Sequence, residues 1–130
     1  MGKAEAPGGA TILISEVSLP NRLLIDRVAF SPQPLRSRRT FTARFHISDS
    51  RNHSVQGALV FVVALPFGTT STPAEAPTDS TGWATFRMRP TRKVRFGRRG
   101  GIAMFVRARK AGERTIGGVS TRRLVNLAIR

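Results

Sequence analysis

The stretch from Thr40 to Asp49 constrains the chain most, because it alternates apolar and polar side chains without a break. Phe41, Ala43, Phe45 and Ile47 fall on one side, and Thr42, Arg44, His46 and Ser48 on the other. A period of two belongs to an extended strand with one face buried and not to an amphipathic helix. Thr78-Asp79-Ser80-Thr81-Gly82 opens into a second such alternation from Trp83 to Pro90, with Ala84, Phe86 and Met88 inward and Thr85, Arg87 and Arg89 outward. An Asp leading a polar turn that ends on Gly reads as a hairpin corner. Val55-Gln56-Gly57-Ala58 is a second turn, and it releases the chain into a nearly continuous apolar strand from Ala58 to Leu65, which belongs in the middle of a sheet or is covered on both faces.

The other segments follow the same rule. Leu23 to Phe30 is a strand stopped by Ser31-Pro32-Gln33-Pro34, since a proline pair cannot continue a ladder. Ile102 to Lys110 alternates with Ile102, Met104, Val106 and Ala108 inward, and Thr121 to Arg130 is the last strand, burying Val125, Leu127 and Ile129. Pro66 to Ser80 is a long polar connection of the kind that crosses between the sheets of a sandwich. Prolines at 20, 32, 34, 66, 73, 77 and 90 interrupt most candidate helices. The expectation is one all-β domain over residues 22–130, an antiparallel β-sandwich of about seven strands. Residues 1–21 precede it as a linker, polar over 1–10, with an extra edge strand over Thr11 to Leu19. With 130 residues, 40% of them hydrophobic and eight of them Phe, one core suffices without staples. Phe41, Phe45, Ile47, Val60, Val62, Phe86, Met88, Met104, Val106, Val125 and Leu127 are its expected members.

Several chemistries lack their residues. Cysteine is absent, so the sequence holds neither a disulfide framework nor a thiolate for catalysis or zinc. Met1 to Ala10 has no hydrophobic region followed by a cleavage site and does not read as a signal peptide. No apolar stretch is long enough to span a bilayer. Asp79 with Gly82, and Asp49 with Asn52, resemble fragments of a calcium loop, but calcium needs several converging oxygen ligands and the chain has only seven acidic residues. Each Asp is better read as accepting hydrogen bonds from the backbone of its own turn. The two histidines, His46 and His53, have Ser54 and Ser120 as conceivable partners, but no local signature of a catalytic triad surrounds them. By its place in the alternation His46 is expected on the solvated face, and His53 in a turn. Trp83 is either an aromatic binding platform or a cover over the end of the core, of which packing is the better reading. No cofactor, catalytic or metal-binding residue is therefore expected, and the chain reads as a non-enzyme.

The net charge of +15 is carried almost wholly by arginine. Ala, Gly, Pro and Arg are all plentiful, so a coding bias explains the excess. A cationic surface for phosphate, sulfate or carboxylate partners is the alternative, because guanidinium groups grip such anions bidentately. Arg87, Arg89, Arg92, Lys93, Arg95, Arg98 and Arg99, followed by Arg107 and Arg109, form the one constellation with functional content. If the flanking strands pair as a hairpin through Gly97-Arg98-Arg99-Gly100-Gly101, Arg87 and Arg89 share an outward face with Arg107 and Arg109. Like charges placed so repel, and an anionic partner relieves them. Phe96 and Phe105 interleave with these residues and are placed to stack on bases or sugars.

The order of motifs carries a resemblance. Phe30-Ser31-Pro32-x-Pro34, Phe45-x-Ile47-x-Asp49, Val55-x-Gly57-Ala58-x-Val60, Thr78-Asp79-x-x-Gly82-x-Ala84-x-Phe86 and Val106-x-Ala108-Arg109 together resemble a bacterial immunoglobulin-like domain. The likeness runs from about Leu23 to Arg130. The closing Gly117 to Val125 is similar to the ends of such domains in extracellular proteins of high-GC Gram-positive bacteria. The resemblance implies an immunoglobulin-like fold of the Big or invasin-like type, a secreted or cell-surface location, and a non-enzymatic structural, spacer or adhesion module. The implied partners are neighbouring domains of the same chain and cell-wall or other anionic polymers. A basic polyanion-binding protein using the segment 87–109, with nucleic acid the less favoured partner, is the competing expectation.

Overall fold

The computed structural model describes residues 10–113 and 117–130, so most of the linker lead expected before Thr11 lies outside the described residues. Within them the strands are β1 (Thr11–Leu13), β2 (Leu23–Ser31), β3 (Phe41–Asp49), β4 (Ser54–Gln56), β5 (Leu59–Leu65), β6 (Ala76–Pro77), β7 (Trp83–Met88), β8 (Gly100–Arg109) and β9 (Thr121–Ile129). The edge strand expected over Thr11 to Leu19 is only its first three residues, and the chain then tightens into a 3-10 turn, Ile14–Glu16. It pairs parallel to β4.

Two sheets face each other. In the first, β3 is central, with β2 antiparallel along one side and β7 antiparallel along the other, while β4 and β1 extend the side that β7 leaves open. The second has the order β6-β5-β8-β9. The all-β sandwich is as the alternation required: Phe41, Ala43, Phe45 and Ile47 of β3, Val60 and Val62 of β5, Phe86 and Met88 of β7, and Met104 and Val106 of β8 are all buried in one core. Val125 is only partly buried against it. Phe45 meets Phe30 edge-on at 6.3 Å and Phe86 at 6.0 Å, so three adjacent strands interlock through one ring.

Two connections differ from the sequence expectation. Thr78 to Gly82 is not a hairpin corner, since β6 lies in the second sheet and β7 in the first. It is a crossing, held by the buried Thr78 hydroxyl, which donates to the Val55 carbonyl at 2.6 Å and accepts from the Ala58 amide at 3.1 Å. Residues 89–99 are likewise a crossing between β7 and β8. Gly100 and Gly101 already belong to β8, where they pair with Ile129 and Ala128. Side-chain alternation specifies which face a residue occupies but not which strand lies beside it.

The sandwich has two distinct ends. At the Asp49 end, Leu23 pairs with Asp49, Leu59 with Arg109, and the Leu23 amide donates to the Val119 carbonyl. At the Arg130 end, Phe41 pairs with Met88 and Leu65 with Ala103. Bridges between Thr70 and Pro90, and between Leu35 and Ile129, join the sheets there.

Candidate functional site

Strand β2 changes register between Ile25 and Arg27. Leu23 and Ile25 face the core before this bulge, Val28 and Phe30 after it, and the extra residue turns both Asp26 and Arg27 outward. Across β3 and β7, Arg27 is level with His46, and His46 with Trp83. These three strands therefore deliver an acid, a histidine and an indole to one place on the outer face of the first sheet.

His46 is not solvated, as its outward position suggested, but 2% exposed. Its Nδ1 lies 2.7 Å from Oδ1 of Asp26. Its Nε2 lies 3.0 Å from Oγ of Ser54 and 3.1 Å from the carbonyl oxygen of Thr81. The Trp83 ring meets the imidazole edge-on at 5.1 Å. The guanidinium carbons of Arg44 and Arg27 lie 4.4 and 5.2 Å from the Trp83 centroid. Trp83 thus covers a histidine on the outer face and does not close the end of the core.

Gly82 makes this closure sterically feasible. Its φ is +86°, and a Cβ there would stand 2.9 Å from His46 Nε2 and 3.1 Å from both the Ile47 carbonyl oxygen and the Ser54 Cβ. Asp79 holds the same turn from the other side, accepting from the amides of Thr81 and Trp83 and from the Thr81 hydroxyl. The Thr81 hydroxyl bond, with further help from those amides and Arg44, outweighs partial burial and holds the Asp79 carboxyl below its ordinary range. Asp49 plays the same part in its own turn. It is 1% exposed and accepts from the amides of Arg51 and His53. Burial alone pushes its carboxyl up, but the amide and ring of His53 and the Arg51 amide together carry it below the usual value. Both are turn acceptors, as their spacing indicated.

Asp26, His46 and Ser54 have the connectivity of an acid–base–nucleophile relay. With Nδ1–H donating to the Asp26 carboxylate, the Nε2 lone pair faces the Ser54 hydroxyl, and the Thr81 carbonyl oxygen stands beside it at 3.1 Å. The cluster satisfies the buried imidazole and ties β2, β3, β4 and the β7 turn together.

The nine basic candidates do not form one surface. Arg87 extends from the outer face of the first sheet opposite Thr42, with Arg89 just beyond the strand. Arg107 and Arg109 extend from the second sheet, so the shared outward face expected of these four residues does not form, because β7 pairs with β3 and not with β8. Arg109 is bound bidentately by Glu75, at 2.9 and 2.7 Å, and Arg107 donates to the same carboxylate at 3.2 Å while lying over Phe61. The Arg109 bond, and less strongly Arg107, lowers the Glu75 pKa against the effect of burial. Arg92, Lys93, Arg95, Arg98 and Arg99 are exposed at the Arg130 end. Of these, Lys93, Arg95, Arg98 and Arg99 line a cleft of about 320 Å³ floored by Val94, Ile102 and Ile129. Phe96 lies under Arg38 at 5.4 Å, and Phe105 is in the second sheet, so the two aromatics do not form one stacking surface.

The bulge at Asp26 was the missed signal, visible in the sequence as the switch from Leu23 and Ile25 to Val28 and Phe30. No helix among the described residues is long and apolar enough to cross a membrane. Comparison with protein-family models, with curated proteins and with solved structures gave no match.

Proposed function

We propose that the chain is a non-enzymatic, immunoglobulin-like module with a structural, spacer or adhesive task at a cell surface or in a secreted protein. The observation that carries this reading is the path of the chain: it enters at the Asp49 end, where Thr11 pairs with Ser54, and leaves at the Arg130 end, after Ile129 pairs with Gly100. Units connected in this way extend end to end, and a load applied along the chain runs parallel to the strands. The strand order supports the immunoglobulin-like assignment. Without the three-residue strands β1 and β4, the seven others stand as first, second and fifth in one sheet and fourth, third, sixth and seventh in the other. The constant-type immunoglobulin order differs from this only in the sheet to which its fourth strand belongs.

Single-molecule pulling between residues 10 and 130 tests the spacer reading. The expected result is one cooperative unfolding event at a force typical of strands loaded in shear. Stepwise low-force peeling would remove the support. Hydrolysis of activated esters that disappears in Ser54→Ala while the fold survives would overturn the non-enzymatic reading in favour of a working relay.

A further inference from the structure

Charge is segregated along the sandwich. The described acidic residues, Glu16, Asp26, Asp49, Glu75, Asp79 and Glu113, all lie in the half nearer Asp49: Asp26 follows Leu23, the partner of Asp49, in the first half of β2, and each of the others is in or beside a turn there, or is bonded to a residue that is. The loops of the other end, 32–40 and 89–99, have no carboxylate and are rich in arginine. A coding bias raises the arginine count everywhere and does not sort acids to one pole.

At that basic pole three distant segments meet. The Leu35 amide donates to the Ala128 carbonyl at 2.8 Å, the Arg130 amide donates to the Leu35 carbonyl at 2.9 Å, and Gly100 pairs with Ile129. These backbone bonds place Arg36, Arg98, Arg99 and Arg130 around one open cavity of about 570 Å³, with Gly97 at its wall. No carboxylate among the described residues bonds to any of the four. We propose that this cradle binds a tetrahedral oxyanion, a phosphate or sulfate group, borne on a ligand larger than the free ion. Guanidinium forks match the oxygens of such a group, and one phosphate offers three strong acceptors. The cavity falls in the size range of small-ligand sites, roughly 300 to 1,000 Å³, and exceeds what a bare phosphate fills. Arg36 and Arg130 are absent from the basic run of the sequence and join Arg98 and Arg99 only through the fold.

The experiment is calorimetric titration of the full chain with tripolyphosphate and, separately, with a sulfated disaccharide, at about 0.15 M salt where exposed charges are screened beyond roughly 8 Å. The variants are Arg36→Ser with Arg130→Ser and, removing equal charge at the opposite end, Arg22→Ser with Arg122→Ser. The expected result is saturable binding of at least one probe, weakened about tenfold or more by the cradle pair and less than about twofold by the distal pair. Tighter binding of tripolyphosphate identifies a phosphate bearer, and tighter binding of the disaccharide a sulfated one. Equal losses from the two pairs, or no binding of either probe, would overturn the proposal. Thermal melts matching the parent confirm that every variant is folded.

Discussion

Nδ1 of His46 stands 2.7 Å from Oδ1 of Asp26, joining a 2%-exposed ring on β3 to a carboxylate that a bulge has turned out of β2. On the other side of the ring, Ser54 and the Thr81 carbonyl occupy Nε2. Replacing the ring removes three polar contacts; Asp26 and Thr81 are exposed and can turn to water, so the cost stays within the roughly 1 to 3 kcal/mol of a single buried unsatisfied group. His46→Ala is therefore expected to lower stability by about 2 to 4 kcal/mol once the lost packing is included. Ser54→Ala, which removes one bond of several, is expected to cost about 1 kcal/mol. Urea midpoints measured at constant slope check both. A near-neutral His46→Ala would mean that the cluster ties nothing together.

Gly82 and Gly112 share a φ of +86° but differ in their surroundings. Among the described residues nothing lies within 4 Å of a Cβ at Gly112, whereas at Gly82 the Cβ meets His46, Ile47 and Ser54. Gly112→Ala is expected to cost only the backbone strain, about 1 kcal/mol. Gly82→Ala adds an overlap with the buried His46 ring at 2.9 Å and tight approaches to the Ile47 carbonyl oxygen and the Ser54 Cβ at 3.1 Å, and is expected to cost about 3 kcal/mol or more. Equal melting temperatures for the two variants would refute the close approach of the turn to the imidazole.

Phe45 is fully buried between Phe30 and Phe86 and is the shared ring of three strands. Phe45→Ala is expected to destabilise the chain by about 3 to 5 kcal/mol through lost transfer energy and the cavity left behind. A chemical denaturation curve superimposable on that of the parent would be incompatible with this core.

These residues also show what the sequence could and could not disclose. Phe45 was legible because strict alternation over β3 leaves one reading of its face. His46 follows the same alternation and was misread, because the cover over its face comes from Trp83, on a strand whose pairing with β3 no local pattern records. The Asp26 bulge was legible in principle, since the inward positions switch parity across it. Arg36 and Arg130 were not: their meeting depends on the Leu35 backbone reaching β9, and backbone hydrogen bonds are indifferent to side-chain identity.

Asp49, Glu75 and Asp79 all have lowered pKa values in the folded state. A carboxylate with a depressed folded pKa contributes its stability fully above the unfolded value, near 4, and loses it as pH falls through the lower folded value. Stability is therefore expected to fall with acidification below about pH 4.5. Asp49→Asn should reduce this slope, because it removes one of the groups that must take up a proton. Unfolding curves collected between pH 2 and 7 measure both. A parent protein whose stability rises on acidification in that window would contradict the sign.

Glu75 is the counterion of Arg107 and Arg109, two residues that the sequence placed among the polyanion contacts. Glu75→Gln keeps the shape of the side chain but removes its charge, leaving two half-buried guanidinium groups without their carboxylate. The first expected consequence is a modest loss of stability, read as a lower urea midpoint, since the pair is open to water and screened by it. The second is tighter binding of a long polyanion such as heparin, with a steeper salt dependence, as each newly contacted anionic group releases counterions and adds up to roughly one to the log–log slope. Tripolyphosphate affinity should not move, because the Arg36–Arg130 cradle lies at the far end of the sandwich. An unchanged heparin slope in Glu75→Gln would show that Arg107 and Arg109 take no part in anion binding even when released, and would confine the basic function of the chain to its Arg130 end.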